Sequence, residues 1–169
     1  MKTKKTLIVC QSIHHGNTMK IAEVLAGELN AEIKKPSEVE NEGLEGYDLI
    51  GFGSGIYDDK HHVSLLNLAD RLPDGAGKKA FIFSTSGAPV AILGNKFLSN
   101  YSAKAHAPLK NKLESRGYRI LGDLILPGFN TNSFLKYFGG LNKNRPDHKD
   151  IERAKVFASK ISEVFKNTP

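Results

Sequence analysis

The 169-residue chain contains one cysteine, Cys10, and no tryptophan. A single thiol excludes an intrachain disulfide and any all-cysteine cluster of zinc or of iron and sulfur, and it suits a reducing compartment. No apolar run approaches the ~20 residues needed to cross a bilayer. The lysine-rich start (MKTKK) is not followed by the apolar stretch of a secretory leader. Membrane insertion and secretion are therefore not expected, and the expected location is the cytoplasm. Aromatic residues make up only 8% of the chain, a poor supply of stacking platforms for single-stranded nucleic acid. Acid is in the minority as well, with 18 Asp and Glu against 24 Lys and Arg, a net charge of +6. The excess gathers in residues 78–119, where eight basic side chains accompany one acid, Glu114. Such a surface favours anionic partners, but the shortage of aromatics removes nucleic acid from the expectation.

What the sequence does contain is a regular alternation of strand and helix periods. Thr6 to Cys10 (TLIVC) is a short apolar run, and Thr18 to Leu29 carries Ile21, Val24, Leu25 and Leu29 on one helical stripe. A weaker strand covers Ala31 to Lys34, and a third run, Leu49 to Phe52, ends in glycines. Val63 to Leu72 has helical spacing and stops at Pro73, after which Lys79 to Phe83 (KAFIF) reads as a fourth strand. Leu109 and Leu113 mark a helix closed by Gly117, and Tyr118 to Leu126 reads as a fifth strand. Ile151, Ala154, Ala158, Ile161 and Phe165 stripe a last helix that Asp147 or Asp150 can cap. Nearly continuous apolar strands separated by amphipathic helices predict a doubly wound α/β fold, a three-layer sandwich around a five-stranded parallel sheet. The length predicts one domain, residues 1–169. In this architecture ligands sit beyond the carboxyl ends of the strands, where strand order reverses.

The turn after the first strand runs Gln11-Ser12-Ile13-His14-His15-Gly16-Asn17-Thr18 straight into a helix. A helix start offers unpaired N–H groups and a positive dipole end, which suits a phosphate. Equally, Asn17 or Thr18 could simply cap the helix. Gly16 stands six residues after Cys10, where a tyrosine phosphatase of low molecular weight needs arginine. The pattern G-x4-G-K-[ST] is absent, and Gly51, Gly53 and Gly55 do not complete G-x-G-x-x-G, whose last position is Ile56. After the third strand, Ser54-Gly55-Ile56-Tyr57 brings glycine, an apolar side chain and an aromatic one against which a flat ligand can lie. After the fourth, Ser84-Thr85-Ser86-Gly87 again joins hydroxyls to glycine, without the G-x-S-x-G elbow of a serine hydrolase.

In their order, these three loops resemble the flavodoxin family, whose phosphate loop ends Thr-Gly-Asn-Thr where this chain has His15-Gly16-Asn17-Thr18. The resemblance spans the chain and implies FMN as cofactor. It places Ser12, His14, His15, Gly16, Asn17 and Thr18 around the phosphate, Ser54, Gly55, Ile56 and Tyr57 along one face of the ring, and Ser84, Thr85, Ser86 and Gly87 at the other edge. The implied function is electron transfer in redox metabolism, with a redox protein or a small molecule as partner. Two departures stand out. His14 and His15 replace the usual threonines, and Asp58 follows Tyr57 where flavodoxins place a glycine whose peptide turns toward the reduced flavin. The second departure, the basic charge and a long segment after the fifth strand favour the alternative of an FMN-dependent oxidoreductase. Its substrate would be of quinone or protoporphyrinogen type, with NAD(P)H or a quinone as counterpart. A fold of this kind without cofactor, used as a binding module, is the second alternative.

That long segment, residues 128–147, carries Phe129, Phe134, Tyr137 and Phe138 with Lys136, Lys143 and Arg145, the makings of an aromatic lid with an anion-attracting rim or of a satellite apolar cluster. The pairs His14-His15 and His61-His62 follow neighbouring strands, but adjacent histidines on extended backbone point apart, so no metal site is expected. His106 and His148 stand in no motif, and Cys10 reads as a small core residue.

Overall fold

A computed structural model describes residues 4–39, 44–88, 94–131, 137 and 139–168. The order of elements is β1 (Thr6–Gln11), α1 (Asn17–Leu29), β2 (Ala31–Lys34), β3 (Leu49–Tyr57), β4 (Lys60–His61), α2 (Val63–Arg71), β5 (Lys79–Ser86), α3 (Gly94–Ser115), β6 (Arg119–Pro127) and α4 (His148–Asn167). Five strands pair in parallel in the order β2-β1-β3-β5-β6, as expected of a doubly wound sheet. A sixth, β4, was not foreseen: it folds back antiparallel on β3, pairing Ile56 with His61 and Tyr57 with Lys60. Strand order reverses between β1 and β3, so the ligand crevice belongs at their carboxyl ends.

Because side chains alternate along a strand, each strand feeds two cores. On one face Leu7, Val9, Ile50, Phe52 and Ile82 pack with Leu65 and Leu68 of α2 and Leu109 and Leu113 of α3. On the other Ile8, Cys10, Phe81 and Phe83 pack with Ile21 and Leu25 of α1 and Ala154, Ala158 and Ile161 of α4. The two strands at the centre of the site run longer than their apolar runs suggest. β3 continues past Phe52 to Tyr57 and β5 continues past Phe83 to Ser86. The glycines that looked like a strand end are there for packing: a Cβ at Gly51 would stand 2.3 Å from the Phe81 ring, and one at Gly53 would stand 2.2 Å from Phe83. Gly53 therefore admits a neighbouring phenylalanine rather than a ligand.

The last helix begins as its sequence predicts. Asp147 is the N-cap, accepting from the Asp150 N–H, and Asp150 returns the bond to the Asp147 N–H. Gly117 (φ 79°) closes α3, with the Tyr118 N–H donating to the Leu113 carbonyl.

Candidate functional site

The crevice forms where the carboxyl ends of β1, β3 and β5 meet the first turn of α1. Gly16 is the N-cap of α1 in the left-handed region, φ 65°, and makes no side-chain capping bond. That settles the role of the next two residues, neither of which caps the helix. Asn17 is buried and its side-chain amide donates to the Phe129 carbonyl at 2.9 Å. Thr18 is buried and shares a 2.8 Å hydrogen bond with Thr85 of β5. The N–H groups of the first turn are left without intrahelical acceptors, as at any helix start. In the turn that leads into α1 the Ser12 hydroxyl is buried with no hydrogen-bond partner among the described residues, and so is the side-chain oxygen of Asn17. An unpaired buried hydroxyl costs stability on its own.

The cavity at the crevice is small, about 50 Å³. It draws together many of the positions chosen from sequence: His14, Asn17, Thr18, Gly55, Ile56, Tyr57, Thr85 and Gly87. It also includes Phe129, which the sequence offered as part of an aromatic lid, and Ile13 and Asn130, which sequence reasoning did not place there. Tyr57 lies between two imidazoles, its ring centre 5.9 Å from that of His14 and 5.6 Å from that of His62. Burial pushes the Tyr57 phenol up, so it stays neutral and a proton donor.

The other chosen hydroxyls have partners. Ser86 bonds Tyr101 at 3.1 Å and accepts from the Ala88 N–H at 3.1 Å. Ser54 and Ser84 are fully buried and turn beneath the crevice. Ser54 contacts His61 Nδ1 at 2.9 Å and the Gly55 carbonyl at 2.7 Å, and it accepts from the His62 N–H at 2.9 Å. Ser84 bonds His106 Nε2 at 2.7 Å. Their hydroxyls thus brace the crevice from below while Gly55 and Thr85, one residue on, form its wall.

The histidine pairs do not converge. His61 is buried against His106, whereas His62 caps α2 by accepting from the Ser64 N–H. Among the described residues no cluster of three potential metal ligands occurs.

Phe129 and Thr131, just after β6, pack against the turn between β1 and α1. His15 Nε2 meets the Thr131 hydroxyl at 2.8 Å, its ring lies 4.7 Å from that of Phe129, and Asn142 donates to the Ala88 and Gly128 carbonyls at 3.0 and 3.2 Å. Of the residues expected in a lid, Phe134, Lys136 and Phe138 lie outside the described residues, and Tyr137 is exposed. Arg145 is not part of an anion-attracting rim: it grips the buried Asp150 carboxylate, with Nη2 at 2.6 Å from Oδ1.

A doubly wound sheet with an open helix start and a crevice between β3 and β5 defines a flavodoxin-like protein. The family model "Flavodoxin domain" matches residues 7–129, and the chain belongs to that family. It is 48% identical over 157 residues to an uncharacterized protein of Methanocaldococcus jannaschii, covering 93% of this chain and 97% of that one. Among solved structures it is similar to oxidised flavodoxin 2 from Bacillus cereus (TM-score 0.67, 21% identity, 94% of this chain and 98% of that one). It is also similar to the flavodoxin, WrbA-like protein from Agrobacterium tumefaciens (TM-score 0.66, 16% identity, 99% and 100%). A third likeness is to rubredoxin oxygen:oxidoreductase from Desulfovibrio gigas (TM-score 0.62, 16% identity), of which the match covers 37%.

Proposed function

We propose that this protein binds FMN noncovalently at the β1–α1 turn and passes electrons in redox metabolism. The observation that carries the reading is the turn into α1, which has a partnerless buried Ser12 hydroxyl and a Gly16 N-cap that makes no side-chain capping bond. In a member of the flavodoxin family that is a donor set for a phosphate monoester. The turn from Ser12 to Thr18 would hold the phosphate, with His14 and His15 as imidazole donors. Gly55, Ile56 and Tyr57 would border one side of the ring, and Thr85, Ser86 and Gly87 the other, with Ser54 and Ser84 as braces. When bound, the flavin supplies the redox chemistry; the protein supplies position, shielding and charge.

A cavity of about 50 Å³ is too small for a flavin ring, since ligand pockets generally measure about 300–1,000 Å³. The expected path to binding is for Phe129 to Thr131 to part from His15 and Asn17, exchanging their hydrogen bonds for contacts to the ligand.

One observation favours a second reading, a two-electron oxidoreductase acting on a small molecule of quinone or porphyrinogen type with NAD(P)H or a quinone. Asp58 (φ 48°) and Asp59 (φ 58°) form the tight turn of the β3–β4 hairpin. Tyr57 and Lys60 pair across it, and Asp59 is held by Lys104 Nζ at 2.7 Å. A turn pinned on both sides resists the peptide rotation that the family's glycine permits.

The test is the visible spectrum of the purified protein after incubation with FMN and gel filtration. The expected result is a retained flavin band in the native protein and none in Gly16→Val, which forces a β-branched residue to a positive φ. A native protein that retains no flavin overturns the reading. Stepwise reduction then divides the two versions: an accumulating one-electron state marks a carrier, and oxidation of NAD(P)H by the protein alone marks an enzyme.

A further inference from the structure

A second cavity, of about 660 Å³ and far larger than the crevice, lies at the amino ends of the strands. Lys4 leads into β1, Asp48 into β3 and Lys78 and Lys79 into β5, while Phe165 and Lys166 come from the last turn of α4. The eight residues of β5 run from this cavity to the crevice wall, so the two places stand about 23 Å apart. The proposed function uses none of the residues around it.

The lining carries four lysines and one acid. Lys78 belongs to the wall itself. Its Nζ donates to the Leu44, Glu45 and Tyr47 carbonyls at 3.0, 3.1 and 3.0 Å, which uses all three of its protons. Lys4 stands over the ring of Phe165 with Nζ 4.4 Å from its centre, so an aromatic face rather than a carboxylate positions this ammonium. Among the described residues Lys4 and Lys166 make no ion pair. The acid, Asp48, is turned to the backbone and accepts from the Lys5 N–H at 2.9 Å. Further along the basic segment 78–119 the lysines do meet acids: Lys104 pairs with Asp59, Lys110 with Glu114 and Lys112 with Asp70. The excess of base noted in the sequence is thus answered along α3 and left standing around this cavity.

We propose that the cavity binds a small organic polyanion, a molecule carrying two or more phosphate or carboxylate groups. Its volume falls within the ~300–1,000 Å³ of small-molecule sites and exceeds what a single inorganic phosphate fills. Lys4 and Lys166 supply the ammonium groups that meet the ligand, and Lys78 adds positive charge from the wall. An ammonium is a compact point charge without the planar fork of arginine, so the site selects for number of charges rather than for the shape of one oxyanion. The Asp48 carboxylate works against every anion, which favours a ligand that engages several lysines at once. Phe165 is only 8% exposed and is covered by Lys4, so it offers no face for stacking. Binding is therefore electrostatic and weakens as salt is added. No residue is shared with the crevice, and the site stands whether or not the crevice takes FMN.

The experiment follows the backbone amide resonances of the ¹⁵N-labelled full chain at low salt while ADP, citrate or inorganic phosphate is added. The expected result is a saturable shift of the Gly77, Lys78, Lys79, Asn167 and Thr168 amides with ADP, with citrate or with both, and a far weaker response to inorganic phosphate. A response to ADP alone identifies a phosphate ligand, one to citrate alone a carboxylate ligand, and one to both a site that reads charge only; each supports the proposal. Lys4→Gln/Lys166→Gln, at two exposed positions, is expected to weaken binding about tenfold. Lys149→Gln/Lys160→Gln removes the same charge from exposed positions on α4 outside the cavity and should leave the affinity unchanged. Shifts confined to the turn from Ser12 to Thr18, equal weakening in the two double variants, inorganic phosphate binding as tightly as the polyanions, or no response at all would overturn the proposal. Retention or loss of FMN bears on none of these outcomes.

Discussion

Thr18 at the start of α1 and Thr85 near the end of β5 share a buried 2.8 Å hydrogen bond, although 67 residues separate them. This bond fixes the start of α1 to the β5 wall of the crevice. Replacing one partner, as in Thr85→Val, leaves the other hydroxyl buried and unsatisfied, at a cost of about 1–3 kcal/mol. The double variant Thr18→Val/Thr85→Val is expected to cost less than the sum of the singles. Urea unfolding of the four proteins measures the coupling; strict additivity would show that the bond is not made.

His61 gives the protein an acid limit. Burial keeps it neutral in the folded state, while in the unfolded chain it gains a proton near pH 6.5. The unfolded state therefore holds more protons below that pH, and stability falls as the medium is acidified. This one group accounts for roughly 2 kcal/mol lost between pH 7 and pH 5. Asp123 loses its contribution at lower pH, beginning in the usual carboxylate range and ending below it, where its hydrogen bond to His106 holds it in the fold. In His61→Asn the dependence between pH 7 and pH 5 should flatten by about that amount, though the variant is less stable at pH 7. Denaturation midpoints at the two pH values check this, and an unchanged slope would refute it.

Arg145 secures the segment that covers the crevice. Its guanidinium holds the buried Asp150, and its carbonyl accepts from the Phe129 N–H at 3.2 Å. Arg145→Ala strips the buried carboxylate of its bidentate partner, leaving only Arg153 Nη1 at 3.9 Å, and is expected to cost up to about 3–5 kcal/mol. Arg145→Lys recovers only part of that, because an ammonium lacks the planar fork. Proteolysis should cut the variant first between Gly128 and Asp147; cleavage elsewhere at the native rate would contradict the anchoring role.

The sequence carried the fold further than the site. Apolar runs and helical stripes located five parallel strands and the capped start of α4, because those signals are local. The true ends of β3 and β5 were hidden because Gly51, Gly53 and the Ser84 to Ser86 hydroxyls resemble turn residues. In the folded chain the glycines are required by Phe81 and Phe83 on the next strand, and two of the serines by His106 and Tyr101. The turn into α1 was legible from Gly16-Asn17-Thr18 and a covering segment from its aromatics, Phe129 among them, but the contacts of Asn17 with Phe129 and of His15 with Thr131 were not. Nor was His106, which stands in no motif and gains its partners from β5 and β6. Periodicity reports which face a residue occupies; it carries no information about which distant strand supplies a partner.

The ties across the crevice also bear on how the chain is made. Asn17 reaches Phe129 over 112 positions and His15 reaches Thr131 over 116. While the chain leaves the ribosome, the first three strands can pair long before the covering segment exists, so the crevice is the last part of the sheet to be assembled. Closure of the crevice therefore reports a chain made at least as far as Thr131, which a probe of the early strands does not.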